Sequence, residues 1–195
     1  VAKDGHVPFG KPREVKVLRR GEITQPVADA VPGALSCVRD LPPRFSLDTL
    51  DQEAPRRAAL AKWISDPKNP LTWRSIVNRV WMHHFGVGLV DTPSDFGRMG
   101  SLPSHPELLD WLAVDFRDKG GSLKQLHRTL LLSSTYRQST QHNPMAAAID
   151  VGNRLLWRGH RHRLDAEMVK DSLLFINGRL DPTMGGPSVK QFVMT

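Results

Sequence analysis

The spacing of apolar residues predicts helices over most of the chain after residue 50. Apolar side chains recur every three or four residues, which is the period of an amphipathic α-helix. The predicted helices are 55–64, 70–85, 106–118, 123–136 and 165–177. Within them, Leu108, Leu112 and Phe116 share one helix face and Leu123, Leu126 and Leu130 share another, so both faces are expected to pack into a core.

Residues at the helix boundaries support these predictions. Asn69 followed by Pro70 is typical of an N-cap and first helical position, and Gly86 is typical of a helix stop. Ser104 and Ser122 are each followed three residues later by Glu or Gln, the spacing of a capping box. The second, third and fourth helices therefore have local start or stop signals of their own.

The remaining segments lack helical periodicity. Residues 1–50 are rich in Pro and Gly with one predicted strand at 14–18, and residues 86–106 form a long loop of turn residues. We therefore predict a mainly α fold, an irregular multi-helix domain at 51–195 with long ordered loops. An N-terminal extended arm at 1–50, a fragment of a preceding region, is expected to lie before it.

Charge and cysteine content narrow the possible chemistry. Lys and Arg outnumber Asp and Glu by 27 to 20, giving +7, which favours acidic partners without proving one. Cys37 stands alone, so an internal disulfide and Cys-based metal clusters are excluded, and no CxxCH attaches a c-type haem within this fragment.

No run of apolar residues in the sequence is as long as a membrane span, which needs about 18 residues. The chain begins without Met, and we expect it to be part of a longer protein.

The stretch NRVWMHHFG, Asn78–Gly86, contains two adjacent histidines on a predicted helix. At about 100° per residue, His84 falls on the apolar face with Trp81, whereas His83 lies at its edge near the following loop. Two rings that diverge in this way do not share a metal easily, and no His or carboxylate lies four residues from either. We expect His84 to be buried and hydrogen-bonded, and His83 remains a candidate for a role in a site.

The loop DTPSDFGRMGSLPSHPE offers further acid–base groups beside His83. Asp95 and His105 are the candidates there, and with His83 they could supply an acid and a base. The same loop residues serve equally well as turn or cap residues, or in binding a partner. No GxSxG elbow marks a serine nucleophile.

The densest basic stretch is WRGHRHRL, Trp157–Leu164. Arg158, Arg161 and Arg163 alternate there with histidines and form the best candidate for an anion-binding site, since guanidinium groups bind carboxylate, sulfate or phosphate through paired donors. Pairing of these arginines with helix carboxylates remains an alternative. No third ligand can be named for a metal at the HxH pair, so no metal site is predicted.

Several segments together resemble the planctomycete-type domain of unknown function fifteen fifty-three. They are RRAALAKWISDPKNPLTWRSIVNRVWMHHFGVGLVDTPSDFGRMGSLPSHPELLDWLAVDF, SLKQLHRTLLLSSTYRQST, NRLLWRGHRHRLDAEMVKDSLL and NGRLDPTMGGPSV. The residues that match its signature are Asn78, Arg79, Trp81, His83, His84, Phe85, Gly86, Asp95, Phe96, Gly97, Ser104, His105, Pro106, Tyr136, Arg137, Asn153, Arg154 and Arg163.

The resemblance implies a domain architecture and a location for the protein, but no reaction that it catalyses. Proteins of this family are typically large and exported, with a signal peptide and a cytochrome c-like domain before this one, so a c-type haem is possible in the parent protein. An exported or periplasmic location follows as an expectation. The family has no agreed catalytic residues, and this chain departs from its arginine-rich stretch at Gly159, His160 and His162.

Three functional hypotheses remain open from the sequence. The first is a C-terminal binding or scaffold module that contacts neighbouring domains of the parent chain, or an acidic or sulfated polysaccharide. The second is a polysaccharide-directed hydrolase or a redox accessory enzyme that uses His83, Asp95 and His105. The third is a nucleic-acid-binding module, which is disfavoured because no zinc-finger spacing, P-loop or RNA-recognition signature is present.

Overall fold

The computed structural model describes residues 12, 14–50, 52–161 and 163–186, and it confirms a mainly α fold. The helices of the described residues are α1 Glu53–Ile64, α2 Pro70–Phe85, α3 Pro106–Asp118, α4 Leu123–Leu132, α5 Ser134–Arg137, α6 Pro144–Ile149 and α7 Ala166–Ile176. None of these helices is long and apolar enough to cross a membrane.

The N-terminal residues contain a short β-hairpin. Strands β1, Lys16–Leu18, and β2, Pro26–Asp29, pair antiparallel, with an irregularity in register between Val17 and Leu18. The sequence predicted a longer strand at 14–18 and did not predict β2 or α6. Both missed elements are short, and segments of four to six residues carry too few apolar positions for a period to emerge.

The chain divides into two compact units, Val1–His160 and Arg161–Thr195. The first unit holds the hairpin and helices α1–α6, and the second holds α7. The predicted division into an arm at 1–50 and a helical domain at 51–195 stays a prediction.

The core of the first unit lies where α2 packs against α3 and α4. Trp81 and Phe85 of α2 stack with ring centroids 3.9 Å apart. The buried apolar residues around them are Val77, Leu89, Val90, Leu109, Leu112, Phe116, Leu126 and Leu130. Leu123 is the exception to the predicted faces, since its side chain is exposed at the first turn of α4.

Most of the predicted helix boundaries are confirmed by hydrogen bonds. Asn69 accepts a hydrogen bond from the backbone N–H of Leu71 at 3.2 Å, and the Ser122 hydroxyl accepts one from Gln125 N–H at 3.4 Å. Gly86 ends α2 with a φ of 81°, a left-handed conformation that favours glycine.

Two local predictions are wrong, and both fail at a serine. Ser104 does not cap α3, because its hydroxyl donates to the carbonyl oxygen of Leu89 and the N-cap is His105. The predicted helix 123–136 is broken at Ser133, whose hydroxyl donates to Leu130 C=O at 2.7 Å while its backbone is extended. Serine side chains compete with helical hydrogen bonds in this way.

Candidate functional site

The three candidate acid–base residues have separate surroundings. His83 is exposed on α2, Asp95 accepts a hydrogen bond from Gly97 N–H at 2.8 Å in a turn, and His105 Nδ1 lies 3.0 Å from Ser104 Oγ. Within the described residues, no hydrogen bond or ion pair joins any two of the three. Their joint catalytic role stays a prediction.

The basic stretch is divided between the two units. Arg158 belongs to the first unit, where its guanidinium carbon lies 5.2 Å from the centroid of the Trp157 ring. Arg161 and Arg163 belong to the second unit, and both are exposed. An anion site formed by these three arginines therefore also stays a prediction.

His84 is hydrogen-bonded, as expected, although it is only half-buried. Its Nε2 lies 2.7 Å from Nδ1 of His127 on α4, and its ring meets the Tyr136 ring edge to face. Burial, followed by the charges of His127 and His83, lowers the pKa of His84 from its ordinary value of 6.5. The pair thus joins α2 to α4. No group of three His, Cys, Asp or Glu residues that could hold a metal occurs in the described part of the chain.

A cavity of about 210 Å³ opens in the first unit beside the C-terminal end of α2. Its wall comes from three places: the end of α2 with the start of the loop after it, Ser104 near the end of that loop, and the loop after α6. Apolar side chains form one part of the lining, namely Trp81, Val87, Leu89 and Leu156. Polar side chains form the other part, namely Asp91, Ser104, Asn153, Arg154 and His160.

Asn78 fixes the first wall of the cavity. Its fully buried amide donates to the carbonyl oxygen of Val90 at 2.9 Å and accepts from the N–H of the same residue at 2.8 Å. A Cβ at Gly88 would overlap the Val90 carbonyl oxygen and lie 2.9 Å from the Asn78 amide, so the loop passes too close for any side chain. The loop that carries Leu89 and Asp91 is therefore held to α2.

Asn153 fixes the second wall by the same pair of bonds. Its buried amide donates to Arg158 C=O at 2.9 Å and accepts from Arg158 N–H at 3.1 Å, with a φ of 55° at Asn153. The carboxylate of Asp150 accepts from the backbone N–H groups of Arg154 and Leu155 at 2.9 and 2.7 Å. These bonds order a loop that has no regular secondary structure.

Two charged side chains of the lining, Arg154 and Asp91, retain hydrogen-bonding capacity. One Nη of Arg154 donates to Leu102 C=O at 3.1 Å, which ties two loops together and leaves the other guanidinium N–H groups for a ligand. Among the described residues, none donates a hydrogen bond to the Asp91 carboxylate. The cavity thus presents a cation and an acceptor-only anion beside an apolar wall.

Sequence reasoning identified only part of this site. Asp91 and Ser104 lie in the loop that offers candidate acid–base groups, and Asn153 and Arg154 match the family signature. His160 lies in the basic stretch, in its HxH pair, and no role in this cavity is predicted for it. Nothing in the local sequence indicates that the loops after α2 and α6 meet, since the hydrogen bond between them, from Arg154 to Leu102 C=O, joins residues 52 positions apart.

Comparison with known proteins gives one family. The family model PSD1, described as "Protein of unknown function (DUF1553)", matches residues 56–194. Neither a curated protein nor a solved structure matches the chain. Because the family model covers well over half of the residues, including every segment of the cavity wall, the chain belongs to the DUF1553 family of proteins of unknown function.

Proposed function

We propose that this protein is a binding module and that the cavity receives one sugar unit carrying an anionic group. The observation that carries the proposal is the arrangement of the cavity, in which Arg154 and Asp91 line walls that Asn78 and Asn153 hold in place. Walls fixed before binding lower the cost of ordering the site around a ligand.

The size and lining of the cavity support a ligand of this kind. Its volume of about 210 Å³ lies below the range of about 300–1,000 Å³ for drug-sized ligands, so a single ring is the appropriate scale. Sugars offer hydroxyl groups to polar residues and C–H faces to apolar ones. Asp91 and Arg154 supply the polar contacts, and Trp81 contributes to the apolar wall.

The guanidinium of Arg154 is the group we assign to the anion. Its remaining N–H donors can form two parallel hydrogen bonds with a carboxylate or a sulfate, which are stronger than neutral hydrogen bonds. Such a ligand would be part of an acidic or sulfated polysaccharide. The net charge of +7 favours the approach of such a polymer.

The test is equilibrium binding of pectin- and heparin-derived oligosaccharides to the full chain, with duplex DNA as a third probe. Arg154→Gln should weaken oligosaccharide binding by about 10- to 100-fold, the loss expected for hydrogen bonds to a charged group. Arg128→Gln is the matched control, since Arg128 is an exposed arginine on α4 that does not line the cavity. It should bind like the natural chain.

Two results would contradict the proposal. The first is an absence of binding to either oligosaccharide. The second is that Arg154→Gln and Arg128→Gln weaken oligosaccharide binding equally while the chain binds DNA tightly and with a strong dependence on salt. A basic surface without a specific site behaves in this way. Thermal unfolding of each variant checks that the substitution leaves the fold intact.

A further inference from the structure

We infer that His160 is a positioning residue of the cavity and that the cavity binds its ligand best while this imidazole is neutral. The inference rests on the proposed binding function and adds its regulation by pH. His160 lines the cavity, and its Nε2 lies 3.3 Å from Nδ2 of Asn153, the asparagine that fixes the second wall.

The backbone of Arg158 sets the orientation of the Asn153 amide. Oδ1 accepts a hydrogen bond from Arg158 N–H at 3.1 Å, and Nδ2 donates to Arg158 C=O at 2.9 Å. Exchange of the two amide atoms would set donor against donor and acceptor against acceptor, so the group that faces His160 is an N–H donor. Asn153 is 2% exposed, and this second N–H has little access to water.

A donor on Asn153 requires an acceptor on His160. A neutral imidazole has one nitrogen with a hydrogen and one without, whereas both nitrogens of the charged imidazolium carry a hydrogen. Nε2 of His160 is therefore the nitrogen without a hydrogen. Protonation of Nε2 turns the 3.3 Å contact into two opposed donors, and the imidazole must then leave its position against Asn153.

The charged groups around His160 do not replace this contact. Asp91 and Arg154 line the same cavity, from the loops after α2 and α6, and they carry opposite charges. A protonated His160 is attracted by the first and repelled by the second, and Arg158 adds a further positive charge on the same loop. The effect of protonation therefore depends on the hydrogen bond from Asn153.

Loss of this hydrogen bond alters the second wall of the cavity. Asn153 has a φ of 55°, a left-handed conformation that is uncommon for residues other than glycine, so its side-chain bonds must hold the loop in place. Arg154, the next residue, carries the guanidinium that we assign to the anion, and it moves with Asn153. Binding should therefore weaken as the pH falls through about 6.5, where histidine ordinarily takes up a proton.

The experiment measures binding between about pH 5 and pH 8, the range in which a histidine changes its charge. Pectin- and heparin-derived oligosaccharides are titrated into the full chain at constant ionic strength. Their carboxylate and sulfate groups keep their charge over this range, because they take up protons only in stronger acid. The dissociation constant should rise about three- to tenfold towards the acid end, the change expected for loss of one neutral hydrogen bond.

Two substitutions separate the position of His160 from its charge. His160→Gln retains an acceptor, because the amide oxygen can accept from Asn153, but it does not titrate. It should bind like the natural chain at neutral pH and lose the dependence on pH. His160→Leu removes the acceptor and should bind about three- to tenfold more weakly at every pH. His142→Gln, at an exposed histidine that does not line the cavity, is the matched control and should keep the natural pH profile.

Heteronuclear NMR of the imidazole nitrogens tests the same contact without a ligand. At neutral pH, Nε2 of His160 should give the resonance of a nitrogen without a hydrogen. The side-chain amide resonance of Asn153 should shift as His160 takes up a proton, and it should not shift over this range in His160→Gln.

The outcomes distinguish the inference from the function on which it rests. A hydrogen on Nε2 at neutral pH, tighter binding in acid, or an unchanged pH profile in His160→Gln would each overturn the role of His160 and leave a binding cavity. Absence of oligosaccharide binding at every pH would overturn the proposed function. The nitrogen resonances would still show in that case whether His160 is held as an acceptor.

Discussion

Replacing Asn78 by alanine removes the side chain that ties the cavity loop to α2. Asn78 has 0% exposure and Val90 has 2%, so the two hydrogen bonds between them are shielded from water. Without the amide, both the N–H and the C=O of Val90 lose their partner. A buried backbone group without a partner costs about 1–3 kcal/mol.

Summed over the two groups of Val90, the expected loss is about 2–6 kcal/mol in the free energy of unfolding. This loss is a large fraction of the free energy of unfolding of natural proteins, which is about 5–15 kcal/mol. Urea unfolding followed by tryptophan fluorescence should show a lower midpoint with an unchanged slope, because the surface exposed on unfolding stays nearly the same.

Arg79→Ala is the matched control on the neighbouring position of α2. Arg79 is exposed and makes one 3.3 Å hydrogen bond to Ser94, so its loss should change stability by less than about 0.5 kcal/mol. A loss below about 1 kcal/mol for Asn78→Ala would refute the reasoning. It would mean that water reaches Val90 in the variant and that the loop is not held by the amide.

Three further changes test other parts of the fold. Gly88→Ala forces a Cβ onto the Val90 carbonyl and should cost about 1–3 kcal/mol in urea unfolding. Ser122→Ala removes the cap of α4 and should cost about 1 kcal/mol, whereas Ser122→Gly should cost a few tenths. Burial lowers the pKa of His84 from 6.5, so the unfolded chain binds a proton at this histidine more readily than the folded chain does. The melting temperature should therefore fall as the pH drops below 6.5 towards the lowered pKa. His84→Gln should make the melting temperature less dependent on pH in this range.

The predictions that succeeded rest on local physics. Asn69 before Pro70, Gly86 at φ 81° and Ser122 before Gln125 act within one helical turn, so their roles are visible in a short window of sequence. The core faces of α2 and α3 follow from the helical period in the same way. The mainly α fold was predictable because several such segments occur in succession.

The cavity was not predictable, since it depends on contacts between distant loops. The hydrogen bond from Arg154 to Leu102 C=O joins residues 52 positions apart, and neither loop has a periodic pattern. The wrong cap at Ser104 has the same origin, because the serine bonds to Leu89, fifteen residues away, instead of its own helix. Non-local partners replaced the local ones that the sequence indicated.

Asn78 and Asn153 explain why irregular loops can line a fixed cavity. An asparagine amide has one acceptor and one donor side by side, so it can pair with the C=O and N–H of a single residue as a neighbouring strand would. Aspartate lacks the donor. Asn78 pairs in this way with the backbone of Val90, and Asn153 pairs in this way with the backbone of Arg158. Each amide uses one donor and one acceptor on backbone groups, and Nδ2 of Asn153 also lies 3.3 Å from Nε2 of His160. The charged groups that can bind a ligand are other residues of the lining, Asp91 and Arg154.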